Sequence, residues 1–390
     1  MEFANLAIKI MKIKKYLFFG CIALVIIFLL FLMKKNNWME TFLANHFSSD
    51  TVFLGKVISS ADEFSKLGDP QYQSQILKVT ILSGPNKEQE VEIHNGGIST
   101  LSIINPDQKI QPGELVTLSR NDNFEGGDYY LIDRYRLGVL LFIFLIFVAA
   151  IIIFGRLRGL ASLLGLLVSI AVLMLFVVPR ILNGDNPLLI TFLGSVAIAF
   201  LSLYLAHGFN NRTTIALLGT LITIVIAVIM TYIFVSMAKF VGIGTEEAFT
   251  LKLNATAVNL HGLILGGIII GMLGVLDDVT IGQVTSIYEI HQANLSLGFT
   301  ELYRRGISVG REHIASLVNT LVLAYVGASF PLFLLTVVQS NKYPLWLAIN
   351  GEPIAVEIVR TIVGSLALIF AVPITTLFAA YYYGEINSNI

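Results

Sequence analysis

The sequence predicts an α-helical polytopic membrane protein. It has about eight transmembrane helices, with a small extracytoplasmic β-rich domain inserted between helices 1 and 2. Three observations lead there. Of the 390 residues, 55% are hydrophobic and only 13% are charged, about half the charged share of a soluble domain. The apolar residues are gathered into long runs. A single polar stretch of roughly a hundred residues separates the first run from the second, too long for a simple connection.

Eight runs approach or exceed the roughly 18 residues needed to cross a bilayer. They are Tyr16–Met33, Leu137–Phe154, Leu160–Val178, Leu188–Ala206, Ile215–Ala238, Val258–Leu276, Ile314–Val338 and Val359–Tyr383. The second and third are joined through "GRLRG", short enough for a tight hairpin. Lys9, Lys12, Lys14 and Lys15 precede the first run, and no small-residue cleavage motif follows it. This pattern predicts an uncleaved signal anchor with a cytoplasmic N-terminus. Threading onward places Arg156, Arg158, Arg212, Arg304, Arg305 and Arg311 inside, and Glu246, Glu247, Glu352 and Glu357 outside. Lys34, Lys35, Lys239 and Lys252 run against this pattern. An even number of spans returns the C-terminus to the cytoplasm. The domains are then 1–36, basic N-terminus and anchor; 37–135, outer domain; and 136–390, a seven-helix membrane domain.

The outer segment reads as strands. "QILKVTIL", "QEVEIH" and "ELVTLSR" alternate apolar and polar residues, and "YYLIDRYRL" leads into the second span. "SGPN", "NGG", "NPDQ" and "EGG" supply the turns. A small antiparallel barrel or sandwich fits, either as a docking or gating module or as a passive cap.

Net charge is −1, so no basic surface points to nucleic acid. Cys21 is the only cysteine, which excludes a disulfide framework and a thiolate metal site. The predicted partners are the lipid bilayer and either a second copy or a related membrane subunit.

Candidate chemistry begins in the sixth run, "NATAVNLHGLILGGIIIGMLGVLDD". Asn254 and His261, seven residues apart, can share a helix face. Gly262 with Gly266, and Gly267 with Gly271, form small-xxx-small pairs whose first explanation is close helix packing. Packing does not explain Asp277 and Asp278. Adjacent carboxylates repel, and at the C-terminal end of a helix they face the negative pole of its dipole. A cation, a basic partner or interfacial water has to offset that cost.

Helical phase continues through "DDVTIGQVTSIYEIHQ". Asp278, Gly282, Thr285 and Glu289 fall on one stripe, and Asp277, Val284, Tyr288 and His291 on its neighbour. Such oxygen donors suit a proton or a hard cation such as magnesium or manganese, and no organic cofactor is predicted. The seventh run opens "GREHIASLVNTLVLAY". Glu312, Ser316 and Asn319 share a face there, with His313 and Thr320 beside it, and Arg311 is the natural counter-ion for the aspartates. A purely structural Arg311–Asp278 clasp is the alternative. Pro331 loosens the end of this span. Pro373 in the eighth is followed by Thr375 and Thr376, whose hydroxyls can serve carbonyls freed by the proline. Arg360 is expected at the interface, and His207 and Arg212 in a solvated turn.

"LGVLDDVTIGQ" followed by "GREHIASLVNTLVLAYVGASFPL" resembles the YibE/F-like family of bacterial multi-pass membrane proteins. The likeness covers roughly residues 137–383. It implies a bacterial cell-membrane location and marks Asp277, Asp278, Gln283, Arg311, Glu312, His313 and Asn319 as motif residues. Glu312 stands where aspartate would serve equally, so the charge is kept. The resemblance assigns no substrate.

No "GxxxxGK[ST]" loop occurs, which excludes ATP hydrolysis by a Walker-type site in this chain. HExxH and GxSxG are also missing, so enzymatic chemistry is not expected. The expectation is a secondary transporter or channel-like permease for a small cation or solute, with candidate residues Asp277, Asp278, Gln283, Glu289, Arg311, Glu312, His313, Asn319 and Thr320. A membrane scaffold docking partners through its outer domain is the alternative. An intramembrane enzyme is the weakest reading.

Overall fold

The computed structural model describes residues 52–64, 73–96, 109–121, 128–339 and 344–386. The expected anchor at 16–33 and its basic leader lie outside the described residues. The chain divides into two compact units, 38–153 and a second formed by 1–37 with 154–390.

In the first unit, the described residues form five antiparallel strands of one sheet in the order β3-β2-β1-β4-β5. They are β1 (Val52–Phe64), β2 (Gln73–Ile81), β3 (Glu90–Gly96), β4 (Leu115–Asn121) and β5 (Asp128–Arg134). β2 to β4 arise from the three alternating stretches of the sequence, and β5 from the "YYLIDRYRL" stretch that leads into the second span. β1, the central strand, escapes that pattern because Gly55 interrupts the alternation and the register shifts between Val57 and Ser59. Phe53, Val57, Leu77, Val79, Ile93 and Leu118 form the buried core of this sheet.

Gln75 is 2% exposed inside that core. Its amide donates to Ser60 Oγ at 3.0 Å and accepts from the Ile110 N–H at 2.9 Å and from Asn95 Nδ2 at 3.3 Å. The side chain thus fastens the segment before β4 to the sheet. At the exit of β5, Asp133 accepts from Arg136 Nη1 at 2.5 Å and from the Arg134 N–H at 2.7 Å. These bonds hold its carboxyl below the usual carboxylate range.

α1 (Leu137–Arg156) follows directly. Arg156 departs from helical geometry (φ 50°, ψ −138°), and α2 (Gly159–Leu182) begins after it. The "GRLRG" stretch is therefore a break between two helices, as its two glycines suggest. α2 contains one turn of π-helix, Leu173–Val177.

The remaining helices of the second unit are α3 (Pro187–His207), α4 (Asn211–Ala238), α5 (Glu246–Asn254), α6 (Leu260–Ala293), α7 (Phe299–Ala328), α8 (Phe330–Gln339), α9 (Leu345–Asn350) and α10 (Glu352–Ile386). Asn186, Asn210, Thr245 and Asn259 cap α3, α4, α5 and α6 through side-chain bonds to their first turns. Among the described residues, six helices are long and apolar enough to cross a membrane: α1, α2, α3, α4, α6 and α10. α7 and α8 together make a seventh candidate, bent by 66° at the break. Pro331 lies in the first turn of α8, where its ring forbids continuation of α7 but suits a new helix start.

The structure redraws the sixth span. α6 is 34 residues long and starts only at Leu260. Asn254 ends α5, so it does not share a helix with His261, whose Nδ1 instead lies 2.8 Å from the Phe240 carbonyl oxygen. Asp277 and Asp278 sit inside α6, many residues before its end, and the dipole of a helix terminus does not act on them. The continuous helix places Asp277, Val284, Tyr288 and His291 on its inward side, while Asp278 and Glu289 are exposed.

α3 and α6 run parallel in a fixed register. A Cβ at Gly262 would stand 2.9 Å from Pro187 Cδ, and one at Gly266 would stand 2.5 Å from Thr191 Oγ1. Ser202 and Asp277, again 75 residues apart, continue the same row. α4 and α10 close the other sides of α6, where Gly219 faces Thr375. A buried core that includes Ile269, Met272, Leu273, Leu276, Ala367 and Ala371 fills the space between them.

Two outcomes follow from this packing. Gln75→Leu leaves the Ile110 N–H without its acceptor, and is expected to lower the unfolding free energy of segment 37–135 by about 1–3 kcal/mol; thermal melts by circular dichroism of that β-rich segment measure it. Gly266→Val is expected to force α3 away from α6 and lower the melting temperature of the detergent-extracted protein, whereas Gly274→Val, at a glycine with nothing within 4 Å of its Cβ position, leaves it nearly unchanged.

Candidate functional site

The inward face of α6 carries a ladder of polar groups among apolar helices. Asp277 is half-buried, and its Oδ2 accepts from Ser202 Oγ of α3 at 3.2 Å. Its Oδ1 is buried with no hydrogen-bond partner. One turn on, Thr280 meets Thr220 of α4, hydroxyl to hydroxyl, at 2.8 Å, and also donates to the Asp277 carbonyl at 3.2 Å. Gln283 comes next and is wholly buried. Its Nε2 donates to the Gly306 carbonyl of α7 at 2.7 Å and to Thr376 Oγ1 of α10 at 2.8 Å. At the foot of the ladder His291, 4% exposed, stacks on Tyr383 with ring centroids 5.7 Å apart. Arg212 lies over the ring of Tyr288 at 4.5 Å, so it is packed into this end and is not a solvated turn residue.

Thr376 does not serve the carbonyl that Pro373 frees. Its hydroxyl donates to Val372 O at 2.6 Å while accepting from Gln283. The threonine thus ties α10 to α6, which a hydroxyl on an exposed kink could not do.

The nine candidates divide into two groups. Asp277 and Gln283 enter the bundle and join α3, α7 and α10. Asp278, Glu289, Arg311, Glu312, Asn319 and Thr320 are exposed, and His313 is half-buried. Among the described residues no salt bridge joins either aspartate to Arg311, so the expected clasp does not form. The reason lies in α7. Its small and apolar side (Gly306, Gly310 and Leu321) is buried, which turns Arg311 and Glu312 away. Thr320 only returns a hydrogen bond to its own helix, to Ser316 O at 3.0 Å.

Above the ladder, Ile268, Ile269, Met272, Leu273 and Leu276 are 0–3% exposed and form an apolar layer. A second polar group lies beyond it. Arg360 of α10 donates from Nη1 to Glu357 Oε1 at 2.8 Å, with side chains 28% and 17% exposed. Its Nη2 lies 3.8 Å from the Cβ position of Gly267, and the Tyr325 hydroxyl lies 2.7 Å from that of Gly271. This glycine pair makes room for side chains of α10 and α7, whereas Gly262 and Gly266 bring α3 close. Arg360 is therefore tucked against α6 and is not a free interfacial residue. Gly267 and Asp277 are separated along α6 by about 15 Å.

Several of these residues were not among the candidates. Thr191, Ser195 and Ser202 recur at helical spacing along α3, as do Thr213, Thr220 and Thr231 along α4, and that periodicity was a readable signal. Glu357 and Arg360, three apart at the head of an apolar run, were another.

No curated protein and no solved structure is similar enough to match the chain. The YibE/F-like protein family matches residues 143–385, more than half of the sequence and all of the helices that build the ladder and the apolar layer. This polytopic helical membrane protein belongs to the YibE/F-like family.

Proposed function

We propose that the protein is a secondary permease for a small cation or solute in the bacterial cell membrane, with Asp277 as the charge-carrying group. The observation behind it is a half-buried carboxylate held by one hydroxyl, with its other oxygen unpartnered and no basic side chain bonded to it. A carboxylate among apolar helices needs a counter-charge, and a transported cation or proton supplies one. The polar ladder on one side of the apolar layer and the Glu357–Arg360 group on the other suit access from alternate faces.

With the segment 16–33 as a further span, the count is eight, both termini are cytoplasmic and residues 37–135 lie outside. On this orientation Arg360 faces the outer half of the bundle and Asp277 the inner half. The protein works without an organic cofactor and is not an enzyme. Magnesium or manganese belongs among the test ions because carboxylate and hydroxyl oxygens are hard donors. A second reading, a scaffold docking partners through the β-domain, is favoured by that domain having a core of its own.

The orientation is tested by a reporter inserted in the turn at Pro85–Lys87 and another fused after residue 390, which are expected to read opposite compartments. The permease itself is tested in proteoliposomes with sodium, potassium, magnesium and imposed proton gradients. Asp277→Asn is expected to cut flux by about a hundredfold while folded protein is retained, and Ser202→Ala by a few-fold, in keeping with loss of a charged group against loss of one hydrogen bond to it. Unchanged flux in a folded Asp277→Asn, Asp278→Asn protein would remove the aspartates from the mechanism.

A further inference from the structure

A cleft of about 170 Å³ opens where the α4–α5 connection, the start of α6 and the start of α10 meet. Leu260, Leu263, Ile264 and Val356 form apolar walls, and Glu352, Glu357 and Arg360 supply the charge. The two carboxylates and one guanidinium leave one negative charge in excess.

The two acids differ in how they are engaged. Glu352 Oε1 accepts from the N–H groups of Val241, at 3.1 Å, and Gly242, at 2.5 Å. Gly242 has φ +92° and stands so close to Leu260 that a Cβ would lie 2.7 Å from its backbone. Glu352 thus anchors the connection. Glu357 holds only the Arg360 guanidinium, through a single contact between residues three apart on one helix.

Arg360 is poorly satisfied in return. Its Nε is buried with no partner, and the bond to Glu357 is its one hydrogen bond among the described residues. A guanidinium carries five N–H donors in a planar fork. Beside it, one turn along α6, the Cβ position of Gly271 stands 2.7 Å from the Tyr325 hydroxyl, an oxygen able to accept from a guanidinium.

We infer that this cleft binds a small organic cation, a solute bearing a primary ammonium on a short alkyl body, with Glu357 as its counter-ion and Arg360 as a resident placeholder that the solute displaces. The apolar walls suit an alkyl body better than a hydrated metal ion, and no group of three or more His, Cys, Asp or Glu side chains able to hold a metal occurs among the described residues. On displacement the guanidinium moves along α6 toward Tyr325, and Glu357 keeps a cation beside it throughout. The inference deepens the permease reading by naming its solute class, and rests on it only for what happens after binding.

Calorimetric titration of the full-length protein in nanodiscs at pH 7 tests it, with ethylammonium as the probe and acetate and magnesium as comparisons. Saturable binding of ethylammonium alone is expected in the wild-type protein. Glu357→Gln is expected to weaken it about tenfold or more, as loss of one member of a close charge pair does. Arg360→Gln is expected to tighten it at least about threefold, because the resident competitor is gone. An ion pair that is only structural would lower thermal stability in both variants and give no gain in affinity. Absence of saturable ethylammonium binding, preferential binding of acetate or magnesium, or a folded Arg360→Gln protein with no gain would each overturn the inference. The wild-type comparison stands whether or not either variant folds. Binding without flux would refute the permease and leave the cleft standing, whereas Asp277-dependent flux without ethylammonium binding would do the reverse.

Discussion

Gln283 has to satisfy its amide N–H groups inside the bundle, because neither water nor lipid is there to do so, and the partners it uses determine how three helices meet, while its Oε1 stays buried without a partner. Its two N–H bonds run to the backbone of α7 and a hydroxyl of α10. Gly306 and Gly310 are the surface of α7 that lets the amide in, since a Cβ at Gly310 would crowd it at 3.2 Å. Once that side of α7 faces inward, its charged residues have one direction left. The exposure of Arg304, Arg305, Arg311 and Glu312 is thus a consequence of a buried amide on the neighbouring helix. The same logic holds at Thr280 and Thr220, where two hydroxyls satisfy each other and fix the depth at which α4 crosses α6.

These paired groups also explain how an apolar bundle carries so many polar side chains without losing its packing. Most are small, and several return hydrogen bonds either to a neighbouring helix or to their own preceding turn, as Thr223 and Thr231 do. Among the side chains left with a buried atom that nothing satisfies, which include Gln283 and several hydroxyls, Asp277 and Arg360 are the carboxylate and the guanidinium. They occupy opposite sides of the layer formed by Ile269, Met272 and Leu273. A bundle selected only for stability would have replaced such groups with apolar ones of similar volume at little cost.

Much of this was legible in the sequence, and for a simple reason. Hydropathy and length are one-dimensional, so α1 to α4 could be read to within about four residues at each end, and the alternating strands β2 to β4 likewise. β1 was missed because a glycine and a bulge break the alternation that reveals a strand. α6 is longer than its apolar run because the polar residues after Leu276 continue its helical phase, as their spacing indicates. Site membership was harder still. Asp277 and Asp278 are identical in composition and adjacent in sequence, yet one faces α3 and the other faces outward; a rotation of 100° per residue separates them. Arg311 offered the opposite charge at a plausible spacing, but the side of α7 that packs is decided by Gly306, Gly310 and Leu321, whose partners lie on other helices. Which residues touch across helices is information the linear pattern does not hold.

The break between α7 and α8 has a consequence for how the protein is made. α7 meets the length and hydropathy requirement of a span only when counted together with α8. Emerging from the ribosome, α7 alone is a poor candidate for transfer into lipid, since the arginines near its start carry a heavy partitioning cost. What lowers that cost is a surface already in the membrane, and the groove that receives Gly306 and Gly310 is built jointly by Ile287 of α6 with Val372 and Thr376 of α10. α10 is synthesised last. Integration of α7 is therefore expected to wait for the chain to its C-terminal side, with the final third of the protein entering the bilayer as one cooperative unit instead of helix by helix.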